Sequence, residues 1–196
     1  MSTFSLTLTL FLILNSIGTI NPYLELCNKL DSNRQRYILW REMFIALLLI
    51  VLFNMIGAWL IAALGLTPAT VQVTIGILLF LFSIKMVFPS KISPFILETE
   101  EPFIFPIATP LIAGPSVLAT IMFYSYQNPW NIRVLAAIFI AWALSVLILI
   151  LAPWLKQHLG NKALIACERL MGLILILMAV DTFLKGIRLF IKHSFN

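Results

Sequence analysis

Two short stretches concentrate the residues able to do chemistry away from water: NSIGTINP (Asn15 to Pro22) and TPLIAGPS (Thr109 to Ser116). Each sets glycine, proline and short neutral hydrogen-bonding side chains inside an otherwise apolar run. Pro22, Pro110 and Pro115 remove backbone donors and disturb a helix around them, and Gly18 and Gly114 allow close backbone approach. Backbone groups released from a helix cannot face hydrocarbon, so they must line a cavity or be covered by protein. A half-helix that starts there offers free N–H groups and a positive dipole end to an anion, and unwound carbonyls suit an ammonium. The candidate solute-binding residues are therefore Asn15, Gly18, Thr19 and Asn21 in the first stretch and Thr109, Gly114, Pro115 and Ser116 in the second. Neither stretch carries a fixed charge, which favours a small neutral or zwitterionic solute.

Other chemistry has little material. The two histidines, His158 and His193, are too few for a histidine-based metal or nucleophile site. Cys27 and Cys167 lack CxxC spacing and read as ordinary buried thiols. No Ser/His, paired-Asp or metal constellation stands at helical spacing, so neither an enzyme nor a cofactor is expected.

The elements that position the two stretches follow from composition. Of 196 residues, 61% are hydrophobic and 11% charged, too little polar surface to cover a water-soluble globule. Spanning helices need about 20 apolar residues. Six are predicted, near Phe4 to Cys27, Tyr37 to Leu64, Pro68 to Phe88, Pro106 to Tyr126, Ile132 to Leu155 and Ala163 to Ile191. The second, third and fifth are long and continuous, and the first and fourth are broken by the two stretches. The chain forms a single membrane domain over 1–196, and the N-terminal run, without a leading cation or small-residue cleavage site, is expected to remain as the first span. The net charge of +5 lies between apolar runs and not along a stripe, which argues for membrane orientation over nucleic acid. Nine Lys and Arg flank the first, third and fifth loops against four on the other side, so both termini are predicted outside. Trp40, Trp59, Trp130 and Trp154 lie near predicted span ends as interfacial anchors, whereas Trp142 is expected to pack or to face lipid.

A shift of 96 residues lays Gly18 on Gly114 and Gly76 on Gly172, brings Gly65 next to Gly160 and superposes the two broken helices. Two halves result, about 1–90 and 106–196, joined by a loop at about 89–105. Three spans is an odd number, so the halves cross the membrane in opposite senses. The expected fold is an all-α membrane protein of two inverted three-helix repeats, a design in which matching broken helices mark a midplane site.

The segments PIATPLIAGPSVLAT (Pro106 to Thr120), TIGILLFLFSIKMV (Thr74 to Val87) and RLMGLILILMAVDTFLKGI (Arg169 to Ile187) resemble the MarC family of bacterial inner-membrane proteins, also called the neutral amino acid transporter family. The resemblance covers essentially the whole chain, and the AGP element is its most specific part. It implies six spans in a bacterial cytoplasmic membrane, small neutral amino acids as substrates, and a distant likeness to LysE-type exporters. In the first helix, Ser16, Thr19 and Asn21 stand where the family usually has Pro, Asn and Pro, and Pro22 falls one place later. Ser116 stands in place of a usual Gly, and Asp181 in place of a neutral polar residue.

Asp181 and Lys85 are the charges nearest the apolar interiors. Lys85 is one turn from a helix end and can snorkel to the interface. Asp181 can pair with Lys185 at i, i+4 or serve proton coupling, since a charge inside a span marks a functional site by default. Asn54 and Gln72 are expected to bond across helices; Glu25, Arg41 and Glu42 are expected to be solvated or paired. A secondary transporter or exporter working by alternating access is the leading functional expectation, with a membrane scaffold or a small-solute or ion channel as alternatives. Lipid is the expected surroundings. Small residues such as Gly57, Ala58, Ala62 and Ala63 suit a helix interface within a subunit or between copies in a homo-oligomer.

Overall fold

The computed structural model describes residues 3–26, 31–88, 113–127 and 132–194. Thr109 and Pro110, the connection at 89–105, Cys27 and Trp130 lie outside the described residues. Every element among them is helical: α1 Thr3–Leu14, α2 Ile20–Leu26, α3 Ser32–Ala63, α4 Pro68–Val87, α5 Pro115–Gln127 and α6 Ile132–Ser194. Helices α3, α4 and α6 are long and apolar enough to cross a membrane.

The helix ends follow from local chemistry. At the end of α3, Gly65 takes φ 62°; its N–H donates to Ala62 O (3.1 Å) and the Leu66 N–H to Ile61 O (3.0 Å). This is a Schellman closure, which satisfies two orphan carbonyls and turns the chain. Two residues later Thr67 caps α4, its hydroxyl accepting from Thr70 N at 3.2 Å, with Pro68 in the first turn, where its missing N–H costs nothing. Residues 132–194 were expected as two spans with a loop over about 156–162. Helix instead extends through most of that loop, and Gly160 alone leaves helical geometry (φ 74°, ψ 164°). An unbroken helix of that length would measure about 95 Å, roughly three bilayer cores, so the glycine divides two spans, an N arm (132–159) and a C arm (161–194). Pro153 lies inside the N arm.

Packing is closest where glycines remove side chains. A Cβ on Gly76 would lie 2.8 Å from Phe183 Cα, one on Gly172 would lie 2.8 Å from Val87 Cγ2, and one on Gly186 would lie 2.7 Å from Val73 N. As residue numbers rise along α4 they fall along the C arm, so the two run antiparallel in close contact, as small residues permit in membrane helices. Gly57 similarly meets Met122 of α5, which places this glycine at an interface within the subunit. The Ser125 hydroxyl donates to Asn54 O at 2.5 Å across the same pair of helices, so the cross-helix bond at Asn54 runs through its main chain. Trp142 packs, its indole N–H donating to Met43 O at 2.8 Å.

The buried face of α3 is formed by Leu39, Glu42, Met43, Ala46, Ile50, Asn54 and Gly57, while Phe44, Leu48, Leu52, Met55 and Trp59 are exposed. In the N arm, Ala137, Ala141, Ser145 and Ala152 are buried, and Phe139, Leu144, Leu147 and Leu151 are exposed. Large apolar side chains cover the outside, while small and polar ones share the inside with Leu39, Met43, Ile50, Ile138 and Leu149, the distribution of a bundle whose solvent is lipid. Trp40, Trp59 and Trp154 are exposed, as anchors require. Lys85 is exposed in the last turn of α4, where a cation also suits the helix dipole. Glu42, expected to be solvated or paired, is paired but fully buried: its Oε1 accepts from Arg41 Nε (3.0 Å) and Nη2 (2.8 Å). Gln72 departs from the cross-helix expectation, since its Oε1 is buried without a partner. Cys167 is free and only partly buried.

Candidate functional site

The first break is built by Asn15. This residue holds φ 51°, the one non-glycine positive φ among the described residues, and asparagine tolerates that conformation better than most side chains. Its N–H returns to Phe11 O (3.2 Å) and Leu12 O (3.1 Å), which closes α1 at Leu14. Residues 15–19 form turns, held by Thr19 N to Asn15 O (3.1 Å) and by Thr19 Oγ1 to Ser16 O (2.9 Å). Helix resumes at Ile20. Asn21 and Pro22 therefore stand in the first turn of α2 and not in the break, a correction to the expected role of Pro22 as a disrupter: its absent N–H falls among the donors a helix start leaves unpaired anyway.

Asn15, Ser16 and Thr19 are each only 2% exposed. The Asn15 carboxamide lies over Gly18: a Cβ there would sit 2.6 Å from Oδ1 and would also strike the Met86 methyl. Asn15 Nδ2 donates to Met86 Sδ at 2.9 Å. Asn15 Oδ1 and Ser16 Oγ are buried without a hydrogen-bond partner among the described residues. An unpaired buried polar atom costs about 1 to 3 kcal/mol unless water or a ligand meets it.

The second break is described from Ala113 onward. Gly114 is buried and precedes α5; Pro115 opens the helix, and Leu118 N donates to Gly114 O at 3.1 Å. Pro115 thus stands at the first position of α5. Ser116 is buried, and its carbonyl accepts from Thr120 Oγ1 at 2.7 Å. Leu14 and Ile20, which flank the first break, belong to a core running through the whole bundle, which also takes in Ala113 and, from α5, Val117 and Ile121. Asp181 stands apart: it is exposed and accepts from Lys185 Nζ at i, i+4, the pairing its spacing predicts.

Ser16 and Met86 belong to this site although the sequence did not select them. Ser16 was visible only as a departure from a family pattern, and Met86 reads as one more apolar residue of α4. Nothing in a one-dimensional pattern brings a thioether 71 positions away onto an asparagine.

The family model described as "MarC family integral membrane protein" matches residues 1–191. A "UPF0056 membrane protein" of Buchnera aphidicola subsp. Baizongia pistaciae is 43% identical over 189 residues, covering 94% of this chain and 95% of that protein. The "UPF0056 inner membrane protein YhgN" of Escherichia coli K12 is 40% identical over 191 residues, covering 96% and 97%. A "UPF0056 membrane protein" of Chlamydia muridarum is 34% identical, covering 95% and 93%. No solved structure matches the chain. Apolar helices of spanning length, an outward-facing apolar surface and whole-length similarity agree, and the chain belongs to the MarC family of integral membrane proteins.

Proposed function

We propose that this protein is a secondary transporter or exporter of small neutral or zwitterionic solutes, neutral amino acids among them, across a bacterial inner membrane. The solute site lies between the two breaks, which exchange access to either side by moving one half of the molecule against the other. The observation that carries the reading is the buried first break, whose Asn15 Oδ1 and Ser16 Oγ have no partner among the described residues, in the core that also takes in the start of α5. Irregular backbone at membrane depth is covered by protein or lines a cavity, and unpaired polar side-chain atoms at the break favour the cavity.

Two inverted halves are part of the proposal, and the burial pattern supports them. Buried positions 39, 42, 43, 46, 50, 54 and 57 of α3 recur 95 residues later at 134, 137, 138, 141, 145, 149 and 152 of the N arm. Buried positions 75, 76, 79 and 83 of α4 recur 96 residues later at 171, 172, 175 and 179 of the C arm. The positive-φ glycines that end α3 and the N arm, Gly65 and Gly160, are also 95 apart. Equivalent helices thus bury equivalent faces and turn at equivalent glycines. Both termini on the outer side complete the arrangement. The YhgN relative's inner-membrane designation supports the location.

Counterflow of labelled alanine into liposomes holding the purified protein tests the reading. Saturable exchange is expected, and Gly114→Leu should abolish it while the protein still elutes as a folded species. Absence of exchange by the unaltered protein overturns transport; unsaturable current identifies a channel instead. Coupling to protons through Asp181 is a finer element of the same proposal. Asp181→Asn should then lose its response to an imposed pH gradient, and an unchanged response assigns the Asp181 to Lys185 pair to structure alone.

A further inference from the structure

We infer that the first break receives the hydrogen-bond-donating end of a solute, an alkylammonium group, and that Met86 sets this polarity by fixing the Asn15 carboxamide. The inference rests on reading the break as a solute site. A thioether sulfur has lone pairs and no proton, so of the two ends of a carboxamide only the NH2 can satisfy it. That end is on the sulfur, with Asn15 Nδ2 2.9 Å from Met86 Sδ. The carbonyl end is left over: among the described residues, buried Oδ1 has no donor, and the adjacent Ser16 hydroxyl is unpartnered as well.

The base of the Met86 side chain is itself held in place. Met86 lies in the last turn of α4, and its Cβ sits where a side chain on Gly172 of the C arm would come within 3.1 Å. The close α4 to C arm contact therefore delivers the thioether to the break, and Gly18 leaves the space that the carboxamide and the Met86 methyl fill together. A neutral acceptor without a donor is completed by an ammonium, whose N–H groups it can accept and whose hydrogen bond is charge-assisted. A carboxylate has only acceptors and finds no complement at Oδ1.

The test uses the full chain in liposomes with Cys27→Ser, Cys167→Ser and Ile17→Cys, and follows the labelling rate of the new thiol by a small methanethiosulfonate reagent. The probes are ethylammonium chloride, sodium propionate and alanine. Ethylammonium and alanine are expected to slow labelling, and propionate is not. Met86→Leu keeps the side chain's size but removes the acceptor and frees the carboxamide to turn. It should raise the ethylammonium concentration for half-protection roughly tenfold, the loss of one charge-assisted hydrogen bond. Propionate protecting as well as ethylammonium overturns the inference, as does labelling indifferent to every probe, which leaves only water on Oδ1. Half-protection unchanged by Met86→Leu overturns the part assigned to Met86. Should Met86→Leu fail to fold, the ethylammonium and propionate arms still decide the polarity. Protection by ethylammonium without alanine counterflow removes the transporter reading and keeps this one; counterflow with propionate as the better protector does the reverse.

Discussion

Glycine does opposite work in two regions of this protein. Along the contact of α4 with the C arm, a Cβ on Gly76 would meet the backbone of Phe183, and one on Gly186 the backbone of Val73. Of the polar side chains nearby, Ser83 Oγ is satisfied on Leu79 O and Thr182 Oγ1 on Met178 O, while Gln72 Oε1 has no partner among the described residues. At the first break, a Cβ on Gly18 would meet only the ends of side chains, Asn15 and Met86, and two polar atoms beside it remain unpaired. In the first region the neighbours are backbone atoms that cannot yield. The second can yield, and its hydrogen bonding is incomplete. A glycine is thus read from what surrounds it: backbone neighbours indicate close helix packing, and side-chain ends leave room to adjust.

The contrast is sharpest under one substitution applied to both places. Gly76→Ala should be the most damaging, because helix backbones cannot separate without opening the interface, and overpacking of this kind costs about 3 kcal/mol; a large fall in thermal midpoint in detergent is the expected result, and an unchanged midpoint breaks the comparison. Gly160→Ala comes next. Open space surrounds that residue, but φ 74° with ψ 164° is a region essentially reserved for glycine, at a cost of about 1 to 3 kcal/mol. Gly18→Ala should have the smallest effect on stability, below about 1 kcal/mol, since Asn15 and Met86 can turn aside. Its alanine counterflow should nevertheless fall strongly, because the displaced carboxamide no longer presents Oδ1. Equal losses of stability at positions 18 and 76 would erase the distinction.

Much of this molecule is legible from its residues in order. The span of Pro68 to Phe88 is found at Pro68–Val87 because a threonine cap and a first-turn proline encode its start locally. The interruption after Leu14 is legible for a similar reason, since an Asn with glycine three residues on is a poor helical continuation. The extent of the break was less so: Pro22 reads as a disrupter, yet a proline at a helix start conflicts with nothing, and only the observed restart at Ile20 distinguishes the cases. The turn between the last two spans contracts to Gly160 for a related reason, as polar residues such as Lys156 and Lys162 suggest a loop while one glycine suffices to end the helix. Burial of Glu42 was hidden altogether, because an Arg beside a Glu reads the same whether the pair is solvated or enclosed.

The sequence by itself determined that the chain lives in lipid, where its long helices run and that the first is interrupted, because hydropathy, capping and backbone freedom act over a few neighbouring residues. Tertiary structure alone decided which interrupted backbone stays hydrogen-bonded, which glycines are packed shut, and that a methionine from α4 holds the asparagine of the first break. Those outcomes depend on contacts between residues far apart in the chain, and a thioether's selection of one end of a carboxamide exists only once the two side chains have been brought together.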